Sequence, residues 1–139
     1  MDPLSLTAGI IAVVTAALKS TRVIKDVLGG IKDGPAHIHE LTNLMDDLRG
    51  LLKQLRDLGN RTRGGAFDEL KALTSRCADD LQVFEAKISK LRNISGDKRW
   101  AKVRKRLKAV IREEDFLSMA KNMDRYINVF SAQLGVMGM

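Results

Sequence analysis

The chain has little that could cross-link or interrupt it, with one cysteine and two prolines among its 139 residues. A single cysteine cannot form a disulfide within the chain, and Cys77 falls in register with apolar neighbours. We therefore expect Cys77 to be a buried thiol in a reducing compartment. Aromatic residues, which favour strands, are also scarce at 4%. The sequence predicts an all-helical protein.

The usual signatures of catalysis and metal binding are missing as well. No glycine-rich phosphate-binding motif is followed by Lys and Ser or Thr, and no serine lies in a nucleophile elbow. His37 and His39 are two residues apart in a helix and point to different sides, and no second pair of ligands has metal-like spacing. We assign these histidines to a helix start and a surface, and predict a protein that is not an enzyme and needs no cofactor or metal.

The composition predicts one compact domain. Hydrophobic residues make up 45% of the chain and charged residues 29%, which is typical of globular proteins. A chain of 139 residues is long enough for one domain with a sizeable core. Internal repeats, low-complexity tracts and long linkers are missing, so we expect a single domain over residues 1–139.

The first helix is predicted from an uncharged stretch between Asp2 and Lys19. A helix over Pro3 to Leu18 spans only ~24 Å, whereas a hydrocarbon core is ~30 Å thick. The stretch is therefore a poor constitutive membrane span, although it is long enough to insert conditionally. A secretory signal would carry its positive charges before the apolar residues, and here they follow.

Two apolar stripes run along this first helix. The first contains Leu6, Ile10, Val13, Ala17, Ile24 and Leu28. The second contains Leu4, Ile11 and Leu18, with Val14 between the two stripes. A helix that is apolar nearly all round must be buried or in lipid. Two interpretations stay open: a central bundle helix covered on all sides, or a releasable helix that inserts into a membrane or binds a partner.

Apolar residues three and four positions apart predict further helices. The second helix begins at Pro35 and ends at Gly59, and the third helix ends at Leu91. We expect these two helices to form an antiparallel hairpin. The final helix begins near Glu113, where acids suit the positive end of the helix dipole, and ends at Gly135. The residues predicted to form the core are Leu41, Leu48, Leu52, Leu70, Leu81, Phe84, Ile127 and Phe130.

Residues 98–112, the cationic segment, carry the entire net charge of +7. The eight cations of this segment are Lys98, Arg99, Lys102, Arg104, Lys105, Arg106, Lys108 and Arg112. The other 16 Lys and Arg face 17 Asp and Glu, so the rest of the chain has a net charge of −1. Apolar residues occupy the remaining face of the predicted helix and are expected to dock it on the core.

The cationic segment has three possible interpretations. A merely solvated surface would intersperse acids among eight cations that repel one another. Anionic lipid is preferred, because each Lys or Arg near such a surface contributes on the order of 1 kcal/mol. Nucleic acid is disfavoured, because the sequence has neither an aromatic stacking series nor zinc-finger spacing.

Three parts of the sequence carry a resemblance to a known family. They are the opening MDPLS with its apolar run through Leu18, the break before Pro35 that leads into a leucine-rich helix, and the stretch from Lys98-Arg99-Trp100 to Leu107 with the acids after it. With these features nearly the whole chain resembles the HeLo-like N-terminal domains of fungal STAND or NOD-like receptors and related cell-death effectors.

The resemblance implies an all-α bundle of four to five helices, related to the four-helix bundle of cell-death executioner domains. It also implies a domain excised from the N-terminus of a longer protein. Domains of this kind bind or permeabilise the plasma membrane when a C-terminal sensor or signalling motif drives oligomerisation. The protein is then expected to be cytoplasmic at rest and at the plasma membrane when activated.

From these features we predict a membrane-targeting cell-death effector domain. Its partners are anionic membrane lipids, which the eight cations of the cationic segment bind, and further copies of itself on activation. The residues predicted to enter the membrane are Leu4, Ile11, Val14 and Leu18. The alternative is an adaptor or oligomerisation module of a fungal NOD-like receptor that does not permeabilise membranes.

Overall fold

The computed structural model describes residues 3–31, 34–61, 67–93, 103–107 and 111–137, with side chains described over 9–31, 34–57, 70–91, 103–107 and 111–135. Within these ranges the chain is helical and has no strand, which confirms the predicted all-α bundle. Its elements are α1 (Pro3–Gly29), α2 (Ala36–Arg61), α3 (Phe67–Ile88), a 3₁₀ helix (Ser89–Asn93), α4 (described over 103–107) and α5 (Glu113–Met137).

The long helices pack in the cyclic order α1, α2, α5, α3. Helix α1 packs along both α2 and α3, α2 also packs along α5, and the contact that closes the ring between α3 and α5 is the loosest. The predicted hairpin of α2 and α3 is wrong for the described residues, because α1 lies between them. The wide apolar surface of α1 provides two packing faces, and each takes one of these helices.

The core follows most of the predicted stripes. All but one of the predicted core residues are buried; the exception is Ile127, which is only half-buried. In α5 the sequence pattern did not predict burial of Met119 and Tyr126, which are both buried, and the Tyr126 ring stacks on Phe130 with centroids 6.2 Å apart. This helix also continues past Gly135, where the sequence predicted its end. Gly135 is exposed and lies two residues before the end of the helix, and a single glycine within a helix costs only about 1 kcal/mol.

Helix α1 is not covered on all sides. Its inward face contains the buried residues Ile10, Val14, Ala17, Ile24 and Leu28. Its outward strip contains Ala12, Thr15, Lys19 and Arg22, which are all exposed. Two polar groups on the inward side are also buried, and the Thr21 hydroxyl donates a hydrogen bond to the Leu18 carbonyl at 2.7 Å. The interpretation of a fully enclosed helix is therefore wrong for the described residues, because this exposed strip carries small or charged side chains and no large apolar one.

Candidate functional site

The described part of the cationic segment is anchored on the core and presents its charges outward. Val103, Leu107 and Ile111 are buried, and the Ile111 amide donates a 2.7 Å hydrogen bond to the Leu107 carbonyl. The cations described are Arg104, Lys105, Arg106 and Arg112, and all four are exposed. The other four, Lys98, Arg99, Lys102 and Lys108, lie outside the described residues. Where the structure describes it, the segment has the predicted apolar inner side and cationic outer side.

The cationic segment ends where α5 begins with three acids. Glu113, Glu114 and Asp115 form the first turn of α5. The Asp115 carboxylate accepts a hydrogen bond from the Arg112 amide at 3.2 Å, and the Arg112 carbonyl accepts one from the Asp115 amide at 3.0 Å. The bond between the Arg112 amide and the Asp115 carboxylate is one half of a capping box, and both bonds fix the start of the helix. A sharp boundary between positive and negative charge therefore lies at the start of α5.

A cleft of about 270 Å³, here called the α2/α5 cleft, opens beside this boundary. Its lining residues are Pro35, His37, Arg104, Leu107, Ile111, Glu113 and Phe116. Leu107, Ile111 and Phe116 are buried core residues that form an apolar floor, whereas Arg104 and Glu113 are exposed. The cleft therefore combines an apolar interior with one cation and one anion at its edge.

Aromatic rings fix one wall of the α2/α5 cleft. The His37 ring lies against Phe116 with centroids 5.8 Å apart and a tilt of 57°. Phe116 in turn meets Phe84 edge-on at 5.5 Å. His37 lies in the first turn of α2 and is half-buried, whereas His39 is exposed, so the two histidines differ as the sequence predicted. The sequence missed the contact with Phe116, because that residue comes from a different helix.

The residues predicted to enter the membrane occupy different environments. Ile11 and Leu18 are half-buried and pack against the edge of the core, whereas Val14 is fully buried at 0% exposure. Leu4 belongs to α1, but its side chain lies outside the described residues. In this conformation Val14 could reach lipid only if α1 left its neighbours. Along the margin between α1 and α2, Lys25 forms an exposed ion pair with Asp46, a type of contact that contributes little.

The buried thiol predicted from the sequence is confirmed. Cys77 is fully buried in α3, and burial, with a smaller effect of the Asp80 charge, raises its pKa to about 12. Burial also raises the pKa of Tyr126, with a further contribution from the 2.6 Å hydrogen bond that its hydroxyl donates to the Asp80 carboxylate. Both groups keep their protons at neutral pH. The hydrogen bond between Tyr126 and Asp80 joins α5 to α3.

The described ranges contain neither a metal-binding cluster nor a membrane-spanning helix. No cluster of three or more His, Cys, Asp or Glu side chains there is suited to hold a metal ion. No helix in the same part of the chain combines the length and the hydropathy that crossing a membrane requires.

The chain matches a known protein family along its whole length. The family described as "Pigment biosynthesis cluster protein PigL N-terminal" matches residues 1–139, and these are HeLo-like fungal domains. No curated protein and no solved structure matches the chain. The family match agrees with the coarse part of the resemblance described above, whereas the connection with NOD-like receptors stays a prediction.

Proposed function

We propose that this chain, which belongs to the family of PigL N-terminal domains of pigment biosynthesis cluster proteins, is a membrane-targeting cell-death effector domain. It binds anionic lipid through the cationic segment and inserts α1 when it oligomerises. One observation carries the proposal: the whole net charge of +7 comes from a segment whose described apolar side chains are buried and whose described cations are exposed.

Anchoring matters for lipid attraction because it keeps the cations together on one surface. Each Lys or Arg near an anionic bilayer contributes about 1 kcal/mol at moderate salt, so even the four described cations would attract the domain appreciably. Exposed charges are screened over ~8 to 10 Å at physiological salt, and binding should therefore weaken as salt is added. The acids of the first turn of α5 lie at one end of this surface and would orient it on the membrane.

Insertion of α1 requires a larger change. Burial of the four large aliphatic side chains Ile10, Val14, Ile24 and Leu28 stabilises the bundle by on the order of 10 kcal/mol. That is comparable to the entire free energy of unfolding of a typical domain. Release of α1 therefore amounts to opening the bundle. Reburial of the same side chains in hydrocarbon, with contacts between copies, would have to offset this cost.

The adaptor alternative draws on a different observation. Ile11 and Leu18 are only half-buried, so part of each apolar side chain is accessible while the bundle is closed. A helix from another protein could cover these side chains while the bundle stays closed. This function predicts binding to a protein partner with no release of vesicle contents.

The test compares two triple variants on vesicles. In the first, Arg104, Lys105 and Arg106 are replaced by Gln; in the matched control, the exposed Lys53, Lys90 and Lys121 are replaced by Gln. Both lose three positive charges from exposed positions, so both should fold like the parent in a thermal melt. Co-sedimentation with anionic and with neutral vesicles at several salt concentrations, and release of a trapped dye, are then measured.

We expect the variant that lacks Arg104, Lys105 and Arg106 to bind anionic vesicles at least about tenfold more weakly than the control variant, because about 1 kcal/mol of attraction is lost per cation. The parent should bind neutral vesicles poorly and should release dye from anionic ones. Equal binding by the two triple variants would contradict the lipid-binding role of the cationic segment. Tight binding without dye release would favour the adaptor alternative.

A further inference from the structure

We infer that the α2/α5 cleft binds one molecule of a single-chain amphiphile with an anionic head, either a phosphate or a carboxylate. This goes beyond the proposed function, because the ligand is held singly in a pocket of the folded domain and no membrane is needed. The inference depends on three features of the cleft: its size, its fixed apolar floor and the position of Arg104.

The size of the cleft limits its occupant. Pockets for small molecules measure about 300 to 1,000 Å³, and this cleft, at about 270 Å³, lies just below that range. It has room for one head group and part of one alkyl chain, but not for the two chains of a phospholipid. A lipid still in a bilayer is therefore a poor fit, and a free single-chain molecule is a better one.

The floor of the cleft is apolar and held in place. Leu107, Ile111 and Phe116 belong to the core, so their positions are set by packing that exists without a ligand. The Phe116 ring also contacts the rings of His37 and Phe84. An alkyl chain that enters the cleft replaces water on these side chains and gains ~25 cal/mol for each Å² of apolar surface that it buries.

The edge of the cleft selects the charge of the head. Arg104 is exposed there and offers a planar guanidinium, which matches the oxygens of a phosphate or carboxylate in a bidentate contact. Glu113 lines the same cleft and repels anions. One anionic head is thus accommodated on the Arg104 side, and a second anionic group on the same ligand is disfavoured.

The experiment uses soluble probes below their micellar concentrations. Decyl phosphate and decanoate supply both the chain and the charge, decyl glucoside supplies the chain alone, and inorganic phosphate supplies the charge alone. Titration of the whole chain by calorimetry gives the affinities, and amide chemical shifts give the location. We expect the two charged amphiphiles to bind at least about tenfold more tightly than either partial probe, with shifts at Leu107, Ile111 and Phe116.

Two matched pairs of variants test the edge. Arg104→Gln is compared with Arg106→Gln, an exposed neighbour that does not line the cleft. Glu113→Gln is compared with Glu114→Gln on the same grounds. Loss of Arg104 should weaken decyl phosphate binding at least about fivefold, because a charge-assisted contact is lost. Loss of Glu113 should strengthen binding, and the two control substitutions should change it less than twofold.

The outcomes separate this inference from the proposed function. Equal weakening by Arg104→Gln and Arg106→Gln would mean that a diffuse cationic surface attracts the probe, which overturns the pocket and leaves vesicle binding untouched. Shifts confined to residues outside the cleft would overturn it too. Binding of decyl phosphate with the expected variant pattern, by a domain that ignores anionic vesicles, would support the pocket and contradict the proposed function.

Discussion

Replacing Ala12 by glutamate tests whether α1 enters the membrane while leaving the folded domain nearly unchanged. Ala12 lies near the middle of the uncharged stretch Pro3 to Leu18, and in the folded bundle it is exposed. A charge at Leu18 would be less informative, because that side chain packs against the core and its replacement would also perturb the resting fold. The structure therefore points to Ala12 as the better site for this perturbation.

The expected effect follows from the two environments of this position. In the folded domain the new carboxylate meets water, so the cost is limited to the lower helix propensity of Glu, a few tenths of a kcal/mol. In an inserted α1 the same group lies near the bilayer centre, where a central acid costs at least ~2.5 kcal/mol. Insertion should therefore become roughly 60-fold less favourable for each α1 that enters the membrane.

The assay measures dye release and co-sedimentation with the same anionic vesicles. Gln54→Glu on α2 is the matched control, because it adds one negative charge at another exposed position. Ala12→Gln adds a polar group without charge. Both Glu variants should bind vesicles slightly and equally less than the parent, but only Ala12→Glu should lose most of its dye release. Thermal melts of all three variants check that they are folded.

The decisive comparison is between the two Glu variants. Should folded Ala12→Glu release dye as fast as Gln54→Glu, α1 does not cross into hydrocarbon, and the insertion step is wrong. The cationic segment could then still bind lipid, and the adaptor alternative would become the better account of α1.

Two further predictions concern the folded state. Leu48→Ala should lower the free energy of unfolding in urea by ~2 to 5 kcal/mol, because Leu48 is fully buried. The control Val83→Ala, at a position that is 59% exposed, should change this free energy by less than about 0.5 kcal/mol. Equal losses of stability in the two variants would contradict the observed packing. Folding raises the pKa of Cys77 from 9.0 to about 12, so its contribution is complete below pH 9 and is lost as the pH rises towards 12. Stability should therefore fall with a steeper alkaline slope in the parent than in Cys77→Ala, and equal slopes would contradict this; thiol reagents should label the folded parent slowly.

The sequence determined which residues face inward along most helices. In α2 the spacing of three and four residues placed Leu41, Leu48 and Leu52 in the core, and all three are buried. The start of α5 could also be predicted from the sequence, because acids cluster from Glu113 onward, where the helix dipole favours them. These features depend on local periodicity and end effects, which the order of residues specifies without any knowledge of neighbouring helices.

Only the tertiary structure decided which helix covers which face. Periodicity shows that α1 is apolar on several sides, but it cannot show that α1 lies between α2 and α3, or that Val14 is sealed while Ile11 stays half-buried. The α2/α5 cleft could not be found from the sequence for the same reason. Its lining joins His37, Arg104 and Glu113 from three separate parts of the chain. Which residues meet there depends on how the helices pack, and a one-dimensional pattern does not encode this.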